Sequence, residues 1–82
     1  MDILINVING KSGEIRQFLY KNDFEKTIRK ISYLKNKMKI GNDVFQYEFT
    51  YYDENLEIEQ YRTFEDFSIF KIEFKNFLTI NQ

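Results

Sequence analysis

Fifteen of the 82 residues are Phe or Tyr, and the chain contains no Ala. A domain this short buries a limited share of its surface, so its core has to be made from large side chains. Phe and Tyr each bury on the order of 150–250 Å². This demand selects layouts in which a few long, alternating or amphipathic segments put their rings on one side. The length fits one domain. With 43% hydrophobic and 30% charged residues, the balance is that of a globular chain and too apolar for disorder.

The residues present also narrow the chemistry. There is no His, Cys, Trp or Pro. The common proton shuttle, the soft metal ligands and the redox thiol are all missing, as is any disulfide framework. Ser12, Ser32 and Ser68 have no His to activate them. Asp53, Glu54, Asn55 and Glu57 are oxygen-rich but lack the spaced ligand loop and glycine of a calcium site, so a solvated turn is the better reading. Glu57 with Glu59, or Glu65 with Asp66, are carboxylate pairs without a cleft around them. Gly10 and Gly13 follow a strand but precede another strand, so no helix N-terminus completes a phosphate cradle. A non-enzymatic protein is expected, with no cofactor and no metal. No apolar run is long enough for a membrane span, and the N-terminus, Met1 to Asn6, has neither a basic region nor a cleavage site. The expectation is no membrane partner, no leader and a cytoplasmic location.

Residues 3–8 alternate with apolar groups on both faces, which predicts a central strand. A turn at 9–13 and alternation over 15–20 complete a hairpin. Asn22 to Glu25 resembles a capping box, and Phe24, Ile28, Ile31, Leu34 and Met38 line one face of a helix over 22–40. Gly41 is placed to cap its end. Phe45, Tyr47, Phe49 and Tyr51 share one face of a strand, which belongs to a hairpin over 44–62 and packs against the helix.

The last segment has two solutions. A helix would align Phe67, Phe70, Phe74, Phe77 and Leu78 but leave Ile69 and Ile72 in water. A turn at 64–68 followed by a strand over 69–80 would point Phe70, Ile72 and Phe74 inward, and this second solution is preferred. The resulting fold is a single α+β domain over residues 1–82. Its sheet is antiparallel or mixed, has four or five strands and packs on one helix, in the order ββαβββ.

That order resembles the β-grasp fold. Arg62-Thr63-Phe64-Glu65-Asp66-Phe67-Ser68-Ile69 is similar to the turn before the last strand of ubiquitin-like domains. Asp23 to Ile31 is similar to the start of their helix. The resemblance covers about a third of the chain and implies a fold, not an activity. The end, Ile80-Asn81-Gln82, carries no diglycine, so a conjugated modifier is not expected.

The net charge of -1 hides an asymmetry. Residues 1–41 hold nine Lys/Arg against four Asp/Glu, a balance of +5; residues 42–82 hold three against nine, a balance of -6. In the basic half, Lys26, Arg29, Lys30, Lys35, Lys37 and Lys39 lie mostly off the apolar helix face. They suit nucleic-acid phosphates or a plain solvated face, and the acidity of the whole chain weighs against direct nucleic-acid binding. In the acidic half, Glu48, Asp53, Glu54, Glu57 and Glu59 are interleaved with Tyr52 and Tyr61. These seven are the candidate partner-binding residues. They would dock on a larger protein with a basic surface, such as a nucleic-acid-binding protein, with Tyr as anchors. The competing reading is an edge hairpin kept from pairing by its charges. By size and composition alone the chain resembles phage and mobile-element inhibitors of host defence, such as anti-CRISPR proteins. A structural, homo-oligomeric role through free strand edges also stays open, and the oligomeric state is not specified by the sequence.

Overall fold

The computed structural model describes residues 1–81. Four strands and two helices follow in the order β1 (Ile3–Asn9), β2 (Ile15–Leu19), α1 (Phe24–Met38), β3 (Phe45–Asp53), β4 (Ile58–Phe64) and α2 (Phe67–Ile80). The strands form one sheet, β2-β1-β3-β4, antiparallel at every pairing. β1 is central, as its two-faced apolarity predicts. Its odd-numbered residues and those of β3 supply Ile3, Ile5, Val7, Phe45, Tyr47 and Phe49 to the core, all nearly or wholly buried. Both helices lie over that face, α1 on β1 and α2 on β3 and β4. No helix among the described residues is long and apolar enough to cross a membrane.

The preferred strand over 69–80 is a helix instead, so the ββαβββ order and the fifth strand are not realised. Packing explains the outcome. As a helix, this segment sinks Phe70, Phe74, Phe77 and Leu78 into the core, and Phe67 packs against it. A strand would have brought only alternate residues inward. Phe74 touches the rings of Tyr20, Phe24, Phe49 and Phe70 at centroid distances of 5.1–6.0 Å. The cost is the exposure of Ile69 and Ile72. Arg62 to Phe64 belong to β4, and Asp66 caps α2 by accepting from the Ile69 N–H at 3.0 Å.

Two further expectations at the ends of α1 are corrected. Its N-cap is Asp23, whose Oδ1 accepts from the Lys26 N–H at 3.0 Å. Asn22 instead adopts a positive φ of 58° and turns the chain. Its C-terminus is closed by tertiary contacts and not by Gly41, which lies in the following turn. Asn9 Nδ2 donates to Met38 O at 3.2 Å and to Asp43 Oδ2 at 2.8 Å, while the Ile40 N–H donates to the same Asp43 oxygen at 2.8 Å. The Lys11 and Ser12 N–H groups donate to Asn9 Oδ1. One fully buried amide thus ties the β1–β2 turn, the end of α1 and the entry to β3 together. Gly10 completes the junction. Its N–H meets Val44 O at 2.7 Å, and a Cβ there would stand 3.0 Å from that carbonyl oxygen.

The hydrogen bonds from the Ile40 N–H and from Asn9, with the nearby charges of Lys11 and Lys39, hold the Asp43 carboxyl below its usual range. A depressed carboxylate adds stability above its unfolded pKa, about 3.9, and loses it as pH falls through the lower folded value. Asn9→Ala removes one of these partners and takes the buried hydrogen bond from the Met38 carbonyl and the part-buried ones from the Lys11 and Ser12 N–H groups, a buried group left unsatisfied costing about 1–3 kcal/mol. The expected result is a loss of about 2–4 kcal/mol in urea unfolding at pH 7. The loss of stability below pH 4 should also become shallower than in the parent.

Candidate interaction surface

Because β1 and β2 come from the first half of the chain and β3 and β4 from the second, the sheet order lays the two halves side by side. With α1 over β1 and α2 over β3 and β4, the charge asymmetry along the sequence becomes an asymmetry across the molecule. The basic pole is the β2–α1 side. The acidic pole is the β3–β4 hairpin.

Among the described residues no element covers the sheet face opposite the helices. Its outermost rows are Ile15, Gln17 and Leu19 on β2 and Glu59, Tyr61 and Thr63 on β4. One row spans all four strands as a chain of side-chain hydrogen bonds. Gln17 Nε2 donates to Asn6 Oδ1 at 2.9 Å, Asn6 Nδ2 to Glu48 Oε1 at 2.8 Å, and Thr63 Oγ1 to Glu48 Oε2 at 2.7 Å. Such a row fixes strand register and holds its members in place.

The seven candidate residues separate into three roles. Tyr52, Glu59 and Tyr61 lie together on the open face. Tyr52 is directly opposite Glu59, and Tyr61 is opposite Thr50. The two phenols are 52% and 68% exposed, far more than core Tyr47 at 2%. Glu54 and Glu57 are exposed at the hairpin tip. Asp53 and Glu48 have structural partners. Asp53 Oδ1 accepts from the Asn55 and Leu56 N–H groups, forming the turn, and Glu48 is held in the cross-strand row. Glu57 adopts φ 58°, a left-handed conformation that costs a residue with a Cβ about 1 kcal/mol.

Among the described residues no Lys or Arg stands on this open face; the Met1 amino terminus lines a hollow with Tyr52, Asp53 and Glu54. Arg62 projects on the opposite face of β4, stacked over Phe49 and Phe64 and bonded to Glu73 of α2 at 3.2 Å. Among the described residues no group of three acidic side chains is arranged to hold a metal ion. Two features were not legible in the sequence: the Asn9 junction and the four-strand polar row. Both depend on register between distant segments. Asn6, the one polar residue between Ile3 and Ile8, is the one visible sign of the row. Phe45, Tyr47, Phe49 and Tyr51 face the helices, so they form core and not a stacking platform.

No family model, curated protein or solved structure matches the chain.

Proposed function

We propose that this is a non-enzymatic binding module that docks the acidic, Tyr-bearing side of its β3–β4 hairpin on a basic surface of a larger protein. The observation that carries the reading is the grouping of Tyr52, Glu59 and Tyr61 on the open sheet face, where no Lys or Arg stands among the described residues. Tyr anchors supply apolar area with a polar end, and carboxylates steer the encounter with a cationic partner. The hydrogen-bonded row beneath them limits the ordering cost of binding. The strained Glu57 adds support, because an acidic side chain occupies a backbone position where glycine would be cheaper. A ribbon of carboxylates of this kind can occupy a groove built for a phosphate backbone, which fits the class of phage-encoded inhibitors of host defence.

The test is affinity capture from nuclease-treated host lysate with wild type and Glu54→Lys/Glu57→Lys/Glu59→Lys in parallel. The variant should lose the captured protein and keep its melting temperature nearly unchanged, since exposed charges contribute about 0–1 kcal/mol each. Glu57→Gly should instead gain about 1 kcal/mol while weakening capture. Capture that persists in the triple variant rejects the acidic-hairpin reading.

A second reading has one observation in its favour. None of the Lys or Arg residues on α1 forms an ion pair among the described residues. Phosphate contact by this helix would give nucleic-acid affinity that falls steeply with salt. Against it, Lys30, Lys35 and Lys37 already lie over the rings of Phe18, Phe45 and Tyr33.

A further inference from the structure

The edge at the basic pole offers a second docking position, independent of the acidic face. β2 is an edge strand with a neighbour on one side only. The Tyr20 N–H donates to Ile3 O at 2.8 Å and the Asn9 N–H to Glu14 O at 2.9 Å. These bonds set the alternation of the ladder. Arg16 and Phe18, in step with Tyr20, turn their backbone groups toward Val7 and Ile5. The N–H and C=O groups of Ile15, Gln17 and Leu19 therefore point away from the sheet.

A cleft of 540 Å³ opens where the C-terminal end of this edge meets the first turns of α1, lined by Phe18, Leu19, Lys21, Asp23, Lys26 and Lys30, with Thr27. Phe18 and Leu19 project to opposite faces of β2, so the cleft wraps around the strand's free side. Three ammonium groups border it, and none is in an ion pair among the described residues. The one carboxylate, Asp23, caps α1. Lys30 is positioned by the Phe18 ring, with Nζ 4.5 Å from its centroid.

We propose that the β2 edge accepts an extended acidic segment of a partner protein as a fifth strand. Its backbone pairs with Ile15, Gln17 and Leu19, and its carboxylates meet Lys21, Lys26 and Lys30. The two faces of the site specify the pattern of that segment. Side chains of an added strand alternate between faces. On the helix side they meet the lysines of α1 and must be acidic. On the open side they meet the exposed Ile15 and Leu19 and must be apolar. The recognised segment is thus an alternation of acidic and apolar residues, bound by strand addition. Charge selects it, since its complement to the basic pole is negative and a strand-edge contact alone would accept any chain.

The test uses a blocked eight-residue peptide alternating Val and Glu, titrated into the full chain at low salt and followed through backbone amide signals. Binding should shift the amides of Ile15, Gln17 and Leu19 and slow their exchange. Lys26→Glu/Lys30→Glu should weaken binding at least tenfold. Leu19→Pro, which deletes an outward N–H, should do the same, and Leu19→Ala should not. Should Leu19→Pro fail to fold, a peptide N-methylated at every second residue serves in its place and should not bind. Equal binding of a control peptide alternating Val and Lys, or of the N-methylated one, overturns the proposal. So does a short single-stranded oligonucleotide that displaces the peptide and still binds Leu19→Pro. A mass that rises with concentration through β2, with no room for peptide, would assign the edge to a second copy and also overturn it.

Discussion

Ile31→Asp should leave no folded domain at 25 °C. Ile31 is fully buried at the centre of the α1 face, in the core cluster that holds Ile5, Val7 and Phe49. A carboxylate there loses its water, and no Lys or Arg is among the buried residues around it. The substitution also deletes the apolar burial of an Ile, worth about 1.5–3 kcal/mol. Together these put the loss beyond about 4 kcal/mol, the range reached only by core disruption or buried charge. Small domains hold about 5–15 kcal/mol in total, with short chains near the lower end. Circular dichroism and a one-dimensional proton spectrum decide the matter. A cooperative thermal transition with dispersed methyl signals in the variant would mean that another face of α1 is inside. Ile31→Val, which keeps the shape, should cost only about 0.5–1.5 kcal/mol and confirm that the effect is charge and not position.

The prominence of Ile31 in the sequence shows where such reading works. Local periodicity placed β1, β2, α1 and the β3–β4 hairpin close to their observed spans, because each pattern is decided within ten to twenty residues. It also placed Phe45, Tyr47 and Phe49 in the core. The ends of α1 were less legible. Asp23 displaced Asn22 as cap, and the C-terminal closure came from Asn9, twenty-nine residues upstream of the carbonyl it meets. No local rule finds that contact. The acidic surface was legible as composition but not as arrangement. Alternation put Glu48 and Glu59 among the outward residues, yet only the register shows that Glu48 is tied to Asn6 and Thr63 while Glu59 is free to face a partner.

The two proposed positions share one cause. A chain with +5 in its first half and -6 in its second could fold so as to interleave them, and this fold does not. Only two ion pairs form among the described residues, and each joins groups from the same half: Glu14 with Arg16, and Arg62 with Glu73. The opposite charges are left facing outward at separate edges of the sheet. Charges on a surface add little to stability, but they add strongly to steering and to the choice of partner. On the two proposals together, the sheet presents an acidic face at one edge and accepts an acidic strand at the other.

The second large effect concerns α2, where periodicity allowed both a strand and a helix. Phe74→Ala should cost about 3–5 kcal/mol in urea unfolding, because a fully buried ring in contact with four others leaves a cavity that its neighbours cannot fill. This loss alone does not separate the two solutions, since Phe74 is inward in both. Ile72→Lys does. In a strand, Ile72 would share the inward face with Phe70 and Phe74, and a lysine there would be as damaging as the lost ring. On α2 it is 60% exposed, and the same change should alter stability by no more than about 0.5 kcal/mol. The strand solution is preferred on pattern alone because it points Phe70, Ile72 and Phe74 inward and leaves fewer apolar groups exposed. The helix prevails because hiding a Phe counts for more than hiding an Ile, and the helical spacing brings Phe70, Phe74 and Phe77 inward together. A folded Ile72→Lys beside a strongly destabilised Phe74→Ala is the signature of that trade, and equal damage from both would restore the strand.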